Sequence, residues 1–200
     1  MNCLTKKIET ELVVKNSRFI NELFICESQS AARDLIKSQK EKYQDASHVC
    51  HAFVIGNNAE VLGMSDAGEP SGTAGRPMLD VLKGSGITNI VLTVTRYFGG
   101  TLLGTGGLVK AYGDCAKSAI EKAFEENAVE EILEKKEFSI SMDYGLYETV
   151  KRKISDFKLY DISEDYSDVV VLKGKILAEQ FDDFAQRIKN LSGGRISVKI

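Results

Sequence analysis

The sequence predicts an α+β protein of two domains, and three observations lead there. The chain has 200 residues, more than the commonest single-domain length, so two units of roughly 100 residues are expected. Strand-like and helix-like patterns alternate through the first half, and a regular strand–helix–strand–strand–helix–strand order fills the second. Between them the composition shifts to a charged stretch, Glu125 to Lys136, where the linker is placed. The domains are accordingly read as residues 1–127 and 135–200, separable near Ala128.

The elements follow in order. Arg18 to Cys26 is extended, with Phe19, Leu23 and Ile25 on one face and Ile20 and Phe24 on the other. Ser28 or Ser30 caps a helix in which Ala31, Ala32, Leu35 and Ile36 recur at helical spacing. His48 to Ile55 is a strand, Gly56-Asn57-Asn58 a tight turn, and Ala59 to Met64 the hairpin return. Pro77 opens a short helix to Leu82, where a missing N–H costs nothing. Asn89 to Thr95 is β-branched and almost continuously apolar, as a strand buried on both faces would be. A long helix then runs from Leu108 to Glu126, with Val109, Tyr112, Ala116, Ala119 and Ala123 facing inward. Beyond the linker come strand 138–142, helix 147–157, strands 159–166 and 169–176, helix 179–191 and strand 195–200. That order is the ferredoxin-like split βαβ arrangement, whose helices cover one sheet face and leave the other open.

Composition bounds function loosely. No apolar run reaches the ~20 residues of a membrane span, and none behind Met1 has signal-peptide length, so the chain is expected to be cytoplasmic. Cys3, Cys26, Cys50 and Cys115 are scattered without a CxxC pair, the pattern of reduced thiols. A net charge of −3 argues against blanket coating of nucleic acid but leaves room for a small basic site.

Chemistry concentrates in two glycine-rich segments. Ser65 to Pro77 holds three glycines, Ser71, Thr73, Asp66, Glu69 and Arg76 between a strand and a helix. Glycine permits positive φ and close backbone approach to a ligand, and Asp66 and Glu69 are the candidate proton acceptors. A structured loop of Asx and Ser/Thr turns accounts for the same residues. Thr95 to Leu108 leaves a buried strand and enters a helix, where free N–H groups and the helix dipole favour an anion. Across the two segments Gly72, Gly99, Gly100, Gly104, Gly106 and Gly107 are the candidate backbone donors, with positive charge from Arg76, Arg96 and Lys110. A glycine-rich crossover for tight packing is the competing account. No Gly-Lys-Ser/Thr closes a Walker loop and no dinucleotide fingerprint is complete, so no nucleotide cofactor is expected. His48-Val49-Cys50-His51 holds both histidines. Strand alternation places His48 with Cys50 and turns His51 away, so three metal ligands do not converge and no metal is expected. His48 is a candidate proton-transfer group. A Ser71/His48/Asp66 triad lacks a GxSxG elbow.

Four blocks of sequence carry a resemblance. Ala46-Ser47-His48, Gly68-Glu69-Pro70-Ser71-Gly72-Thr73-Ala74-Gly75, Arg96-Tyr97-Phe98-Gly99-Gly100-Thr101 and Leu103-Gly104-Thr105-Gly106-Gly107-Leu108, with Ser17-Arg18-Phe19-Ile20 ahead of them, resemble the signature blocks of the Impact (YigZ-like) family, bacterial two-domain type. The resemblance spans roughly residues 1 to 125. It implies a first domain similar to the second domain of ribosomal protein S5, and a second similar to the last domain of elongation factor G. Eukaryotic relatives are linked to control of translation initiation, competing for an activator of a stress kinase through an additional partner-binding domain, so that partner is not carried over. Ala67 stands where an acidic residue is frequent, and Lys110 where arginine is frequent, which keeps charge but loses bidentate geometry.

Three functions are therefore carried forward. The first is a translation- or RNA-associated regulatory protein binding phosphate-bearing or ribosomal partners through the glycine-rich site. The second is a small-substrate hydrolase using Asp66, Glu69 and His48, and the third a protein adaptor on the open sheet face. Arg96 is expected at the sheet edge with an accessible head group. The alternative is that it pairs with Asp66 or Glu69 and ties the two loops together.

Overall fold

The structure is a computed structural model that describes residues 1–199. It divides into two compact units, Met1–Ile132 and Leu133–Ile200, in a mixed α+β architecture.

The first unit runs β1 (Asn2–Leu4), β2 (Ile8–Val14), β3 (Ser17–Ile25), α1 (Gln29–Lys42), β4 (His48–Ile55), β5 (Val61–Ser65), α2 (Gly75–Gly84), β6 (Ile87–Thr88), β7 (Ile90–Tyr97), α3 (Gly104–Glu125) and β8 (Val129–Glu131). Five strands form one sheet in the order β2-β3-β7-β4-β5, antiparallel throughout. The apolar strand β7 takes the centre, buried from Ile90 to Arg96, because helices cover both faces. On one face α2 and α3 pack Leu79, Leu82, Tyr112 and Ala119 against Phe19, Leu23, Cys50 and Leu92. Alanines on α3 let it approach closely, and the Tyr112 ring meets Phe19 edge-on at 5.4 Å. On the other face α1 sets Ala32 and Ile36 over Phe53, Ile55 and Val91. Ser28 caps α1, its Oγ accepting the Ala31 N–H at 3.2 Å.

A small second sheet, ordered β6-β1-β8, corrects the expected boundary. Asn2 to Leu4 pairs with Val129 to Glu131, and Ala128 is buried. Residues 128–132 therefore belong to the first unit and not to a linker beginning after residue 127. Helix α3 also starts a turn before Leu108, taking Gly104, Gly106 and Gly107 into its first turn, and Val109 on it faces solvent. Helix α2 starts at Gly75, so Pro77 sits within its first turn rather than opening it.

The second unit runs β9 (Lys135–Met142), α4 (Tyr144–Ile154), β10 (Leu159–Tyr166), β11 (Val170–Leu177), a 3₁₀ turn (Ala178–Gln180), α5 (Phe181–Leu191) and β12 (Val198–Lys199). Its antiparallel sheet has the order β10-β11-β9-β12. Alternate residues Phe138, Ile140 and Met142 of β9, with Val170, Leu172 and Ile176 of β11, bury one face against Tyr147, Val150, Phe184 and Ile188 of the helices. Ile200, the end of the expected last strand, lies outside the described residues.

A cavity between the two glycine-rich loops

The sheet register decides what faces the site. Arg96 of β7 lies opposite Phe19 of β3 and His48 of β4. These residues sit near the end of β7, where the chain leaves for the second glycine segment.

The first segment joins β5 to α2, and Asp66 organises it. One carboxylate oxygen accepts the Gly72 N–H at 2.8 Å; the other accepts the N–H groups of Ala74 and Gly75 at 3.0 and 2.8 Å. Partial burial raises the Asp66 carboxyl, but the three N–H donors outweigh it and hold the pKa below its ordinary value. A carboxylate so engaged is a staple for the loop. Thr73 is spent in the same way, its hydroxyl donating to the Pro70 carbonyl at 2.6 Å. Ser71 is exposed and outside the cavity, so the triad with His48 and Asp66 does not assemble.

With its loop fixed, Glu69 turns inward and is 8% exposed. Its Oε1 accepts from Arg96 Nη1 at 2.7 Å and from the Tyr112 hydroxyl at 2.7 Å. Arg96 is itself 5% exposed; it donates from Nη2 to Ser17 Oγ at 3.3 Å and lies 5.6 Å from the ring centres of Phe19 and Phe98. The expectation of an accessible Arg96 is corrected: it is the clasp between the two loops. Burial pushes the Tyr112 hydroxyl far up, which keeps it a donor, and pushes the Cys50 thiol up to about 12. Cys50 Sγ donates to the Asp66 carbonyl at 3.0 Å.

His48 completes the floor. Its Nδ1 lies 3.0 Å from the Ala67 carbonyl, which can only accept, so Nδ1 carries a hydrogen. In the neutral ring Nε2 is then an acceptor, 3.9 Å from Glu69 Oε2. Two acceptors converge on one spot. Gly68 closes the turn at φ +89°, and a Cβ there would stand 3.3 Å from His48 Nδ1.

The second segment supplies the rim. Gly99 passes so close to Asn16 that a Cβ would sit 2.0 Å from its carbonyl carbon, and its N–H donates to Ser17 Oγ at 3.2 Å. This leaves Phe98 48% and Leu102 81% exposed. Together the segments enclose a cavity of about 400 Å³, with Glu69, His48 and Arg96 in the floor and Pro70, Phe98, Leu102 and Leu103 around it. Gly104 and Thr105, at the start of α3, close one side.

The three expected cations do not converge: Arg96 lies in the cavity floor, while Arg76 and Lys110 lie outside it. Arg76 pairs with Asp80 at 2.9 Å and Lys110 with Asp114 at 2.6 Å, each one turn along its own exposed helix face. Neither lines the cavity, nor do Gly72, Gly99, Gly100, Gly106 and Gly107. Among the described residues no three His, Cys, Asp or Glu side chains group as a metal site requires. Tyr112, Ser17 and Cys50 were not candidates from sequence. A buried tyrosine hydroxyl needing a partner was the one signal available.

Among the described residues no helix is long and apolar enough to cross a membrane. Residues 15–120 match the family model described as the Impact N-terminal domain. The chain is 34% identical over 187 residues to the IMPACT family member YigZ of Escherichia coli (strain K12), covering 92% of this chain and 90% of that protein. It is 36% identical over 193 residues to the IMPACT family member YvyE of Bacillus subtilis (strain 168), covering 96% and 86%. A crystal structure described as that of a hypothetical protein aligns over 98% of this chain and 95% of its own, at 32% identity and a TM-score of 0.63. Domain match, relatives and fold agree, and the chain belongs to the Impact family.

Proposed function

We propose that this chain is a translation-related regulator that acts by binding, seating an uncharged, largely apolar group of a ribosome-associated protein in the cavity above Glu69. The observation that carries this reading is the contrast between floor and rim. The floor charge is neutralised internally by the Arg96–Glu69 pair, while Leu102 and Phe98 expose apolar surface around the opening. Phosphate is poorly served there, because Arg76 and Lys110 are engaged elsewhere. An apolar body carrying one N–H or O–H is served well: the body meets the rim and the donor bridges Glu69 Oε2 and His48 Nε2. Translation enters through the Impact family's link to control of initiation, an analogy of family and not of chemistry.

Finer fold readings support the same conclusion. The sheet order β10-β11-β9-β12 with α4 and α5 on one face supports reading the second unit as a split βαβ domain similar to the last domain of elongation factor G. The first unit is read as similar to the second domain of ribosomal protein S5. Three buried, unpaired cysteines fit a cytoplasmic protein.

The test is co-sedimentation with purified ribosomal subunits at low and high salt. Binding that survives high salt, is lost in Leu102→Asp and persists in the Arg76→Ala/Lys110→Ala double variant is expected. Binding that vanishes with salt and needs Arg76 or Lys110 replaces the reading with phosphate recognition. The 3.9 Å approach of Glu69 and His48 supports a second reading, acid–base hydrolysis of a small substrate. Turnover of model esters or amides that Glu69→Gln abolishes would establish it.

A further inference from the structure

On the opposite face of the sheet from the Glu69 cavity, a groove of about 490 Å³ runs between α1 and the edge strand β5. Its helix side carries Arg33, Lys37 and Lys40, exposed and spaced i, i+4, i+7, so they share one face. None of the three has an acidic partner within ion-pair distance among the described residues. The other side of the groove is an open sheet edge. Strand β5 pairs with β4 alone, so its outer N–H and C=O groups have no strand partner among the described residues. Edge strands are ordinarily guarded by lysine, proline or an inward charge. The β5 sequence, Val61-Leu62-Gly63-Met64-Ser65, contains none of these, and Leu62 and Met64 are 40% and 47% exposed.

The register assigns a face to each residue. Phe53 packs with the α1 layer, whereas Ala52 and Val54 belong to the α2/α3 layer. Cross-strand partners share a face, so Gly63 opposite Phe53 lies on the α1 side, and Leu62 and Met64 lie on the other. At Gly63 a Cβ would sit 2.0 Å from the Phe53 ring; the glycine lets that ring lie flat against the edge strand as the groove floor. A strand added beside β5 would therefore present alternate residues to two different surfaces. One set faces Arg33, Lys37 and Lys40. The other lies alongside Leu62 and Met64.

We propose that β5 is a docking edge for an extended partner segment in which acidic and apolar residues alternate, pairing its backbone with β5 and its carboxylates with the α1 cations. Charge complementarity selects acid over base, and the two-faced register selects alternation over a uniform acidic run. This site is separate from the cavity above Glu69 and does not depend on what that cavity binds.

The test uses the full chain and a labelled, acetylated peptide of roughly eight residues alternating glutamate and valine, long enough to span β5. Binding with Kd on the order of 10–100 μM is expected, with backbone amide shifts confined to Val61–Ser65, β4 and α1. Lys37→Glu should weaken it at least tenfold, about 1.4 kcal/mol. Lys37 is exposed and unpaired, so the melting temperature should hold. The same peptide N-methylated at alternate residues keeps every side chain but loses the ladder, and should not bind. Equal binding by the N-methylated peptide, or by a peptide with the glutamates and valines in separate blocks, overturns the proposal. So does a nucleotide or RNA oligomer that shifts these amides when the alternating peptide does not.

Discussion

Replacing Arg96 with alanine tests the logic of the cavity floor. The substitution removes the guanidinium that donates to Glu69 at 2.7 Å, leaving a carboxylate 8% exposed with only the Tyr112 hydroxyl as a strong donor. Two unit charges about 4 Å apart at an effective dielectric near 20 attract by ~4 kcal/mol. Removing one partner of a buried pair costs about 3–5 kcal/mol, because the other charge is stranded. Lost contact with the Phe19 and Phe98 rings adds in the same direction. Arg96→Ala should therefore lose about 4 kcal/mol in urea melts, with the slope unchanged. Arg96→Lys should lose less, about 1–2 kcal/mol, since charge remains while the fork reaching both Glu69 and Ser17 is gone. Arg96→Met/Glu69→Gln removes both charges and should recover part of the loss, giving a coupling energy of about 2 kcal/mol. A loss below about 1 kcal/mol in Arg96→Ala, or additive single variants, would refute the clasp.

Two further outcomes follow from other parts of the first unit. Burial, then the Lys40 charge, lower His51 to about 4, so the folded state resists the proton that the unfolded chain takes up near 6.5. The full contribution is present above pH 6.5 and is lost as pH falls toward 4; allowing for partial exposure of the ring, about 2 kcal/mol is at stake. His51→Gln should flatten the stability profile across that window, and an NMR titration of His51 with a midpoint near 6.5 would contradict it. Separately, a fragment of residues 1–132 should melt cooperatively, whereas residues 1–127 should melt lower for want of β8. Equal melting of the two fragments would show that β8 contributes nothing.

Long elements with a clear period were legible, and short or locally disfavoured ones were not. β7 announces itself because seven consecutive buried positions, Ile90 to Arg96, force an apolar run. β1, β6 and β8 have two or three residues each, too few to show any alternation. β2 does alternate, with Glu9 and Glu11 outward, but Thr10 among its inward positions and Val13 among its outward ones blur the period. Helix α3 was read from Leu108 because glycine costs a helix about 1 kcal/mol per residue relative to alanine. Burial of Leu108, Ala111 and Tyr112 against the sheet overrides that cost and extends the helix back to Gly104.

The site illustrates a different limit. Residue types were sufficient to mark Asp66, Glu69, His48 and Arg96, yet not to say which carboxylate meets the arginine. Asp66 and Glu69 are three residues apart in one loop and chemically equivalent on paper. What separates them is the supply of backbone donors: Gly72, Ala74 and Gly75 turn three N–H groups toward Asp66 and saturate it. Glu69 is left to find its donors at distance, 27 positions away in Arg96 and 43 away in Tyr112. Those separations exceed any local pattern, and only the antiparallel register that sets Arg96 between Phe19 and His48 brings the groups together. The arginine read as a free cation was buried for the same reason. It lies on the central strand of a sheet covered on both faces, and a charge in that position needs a partner before it can serve any ligand.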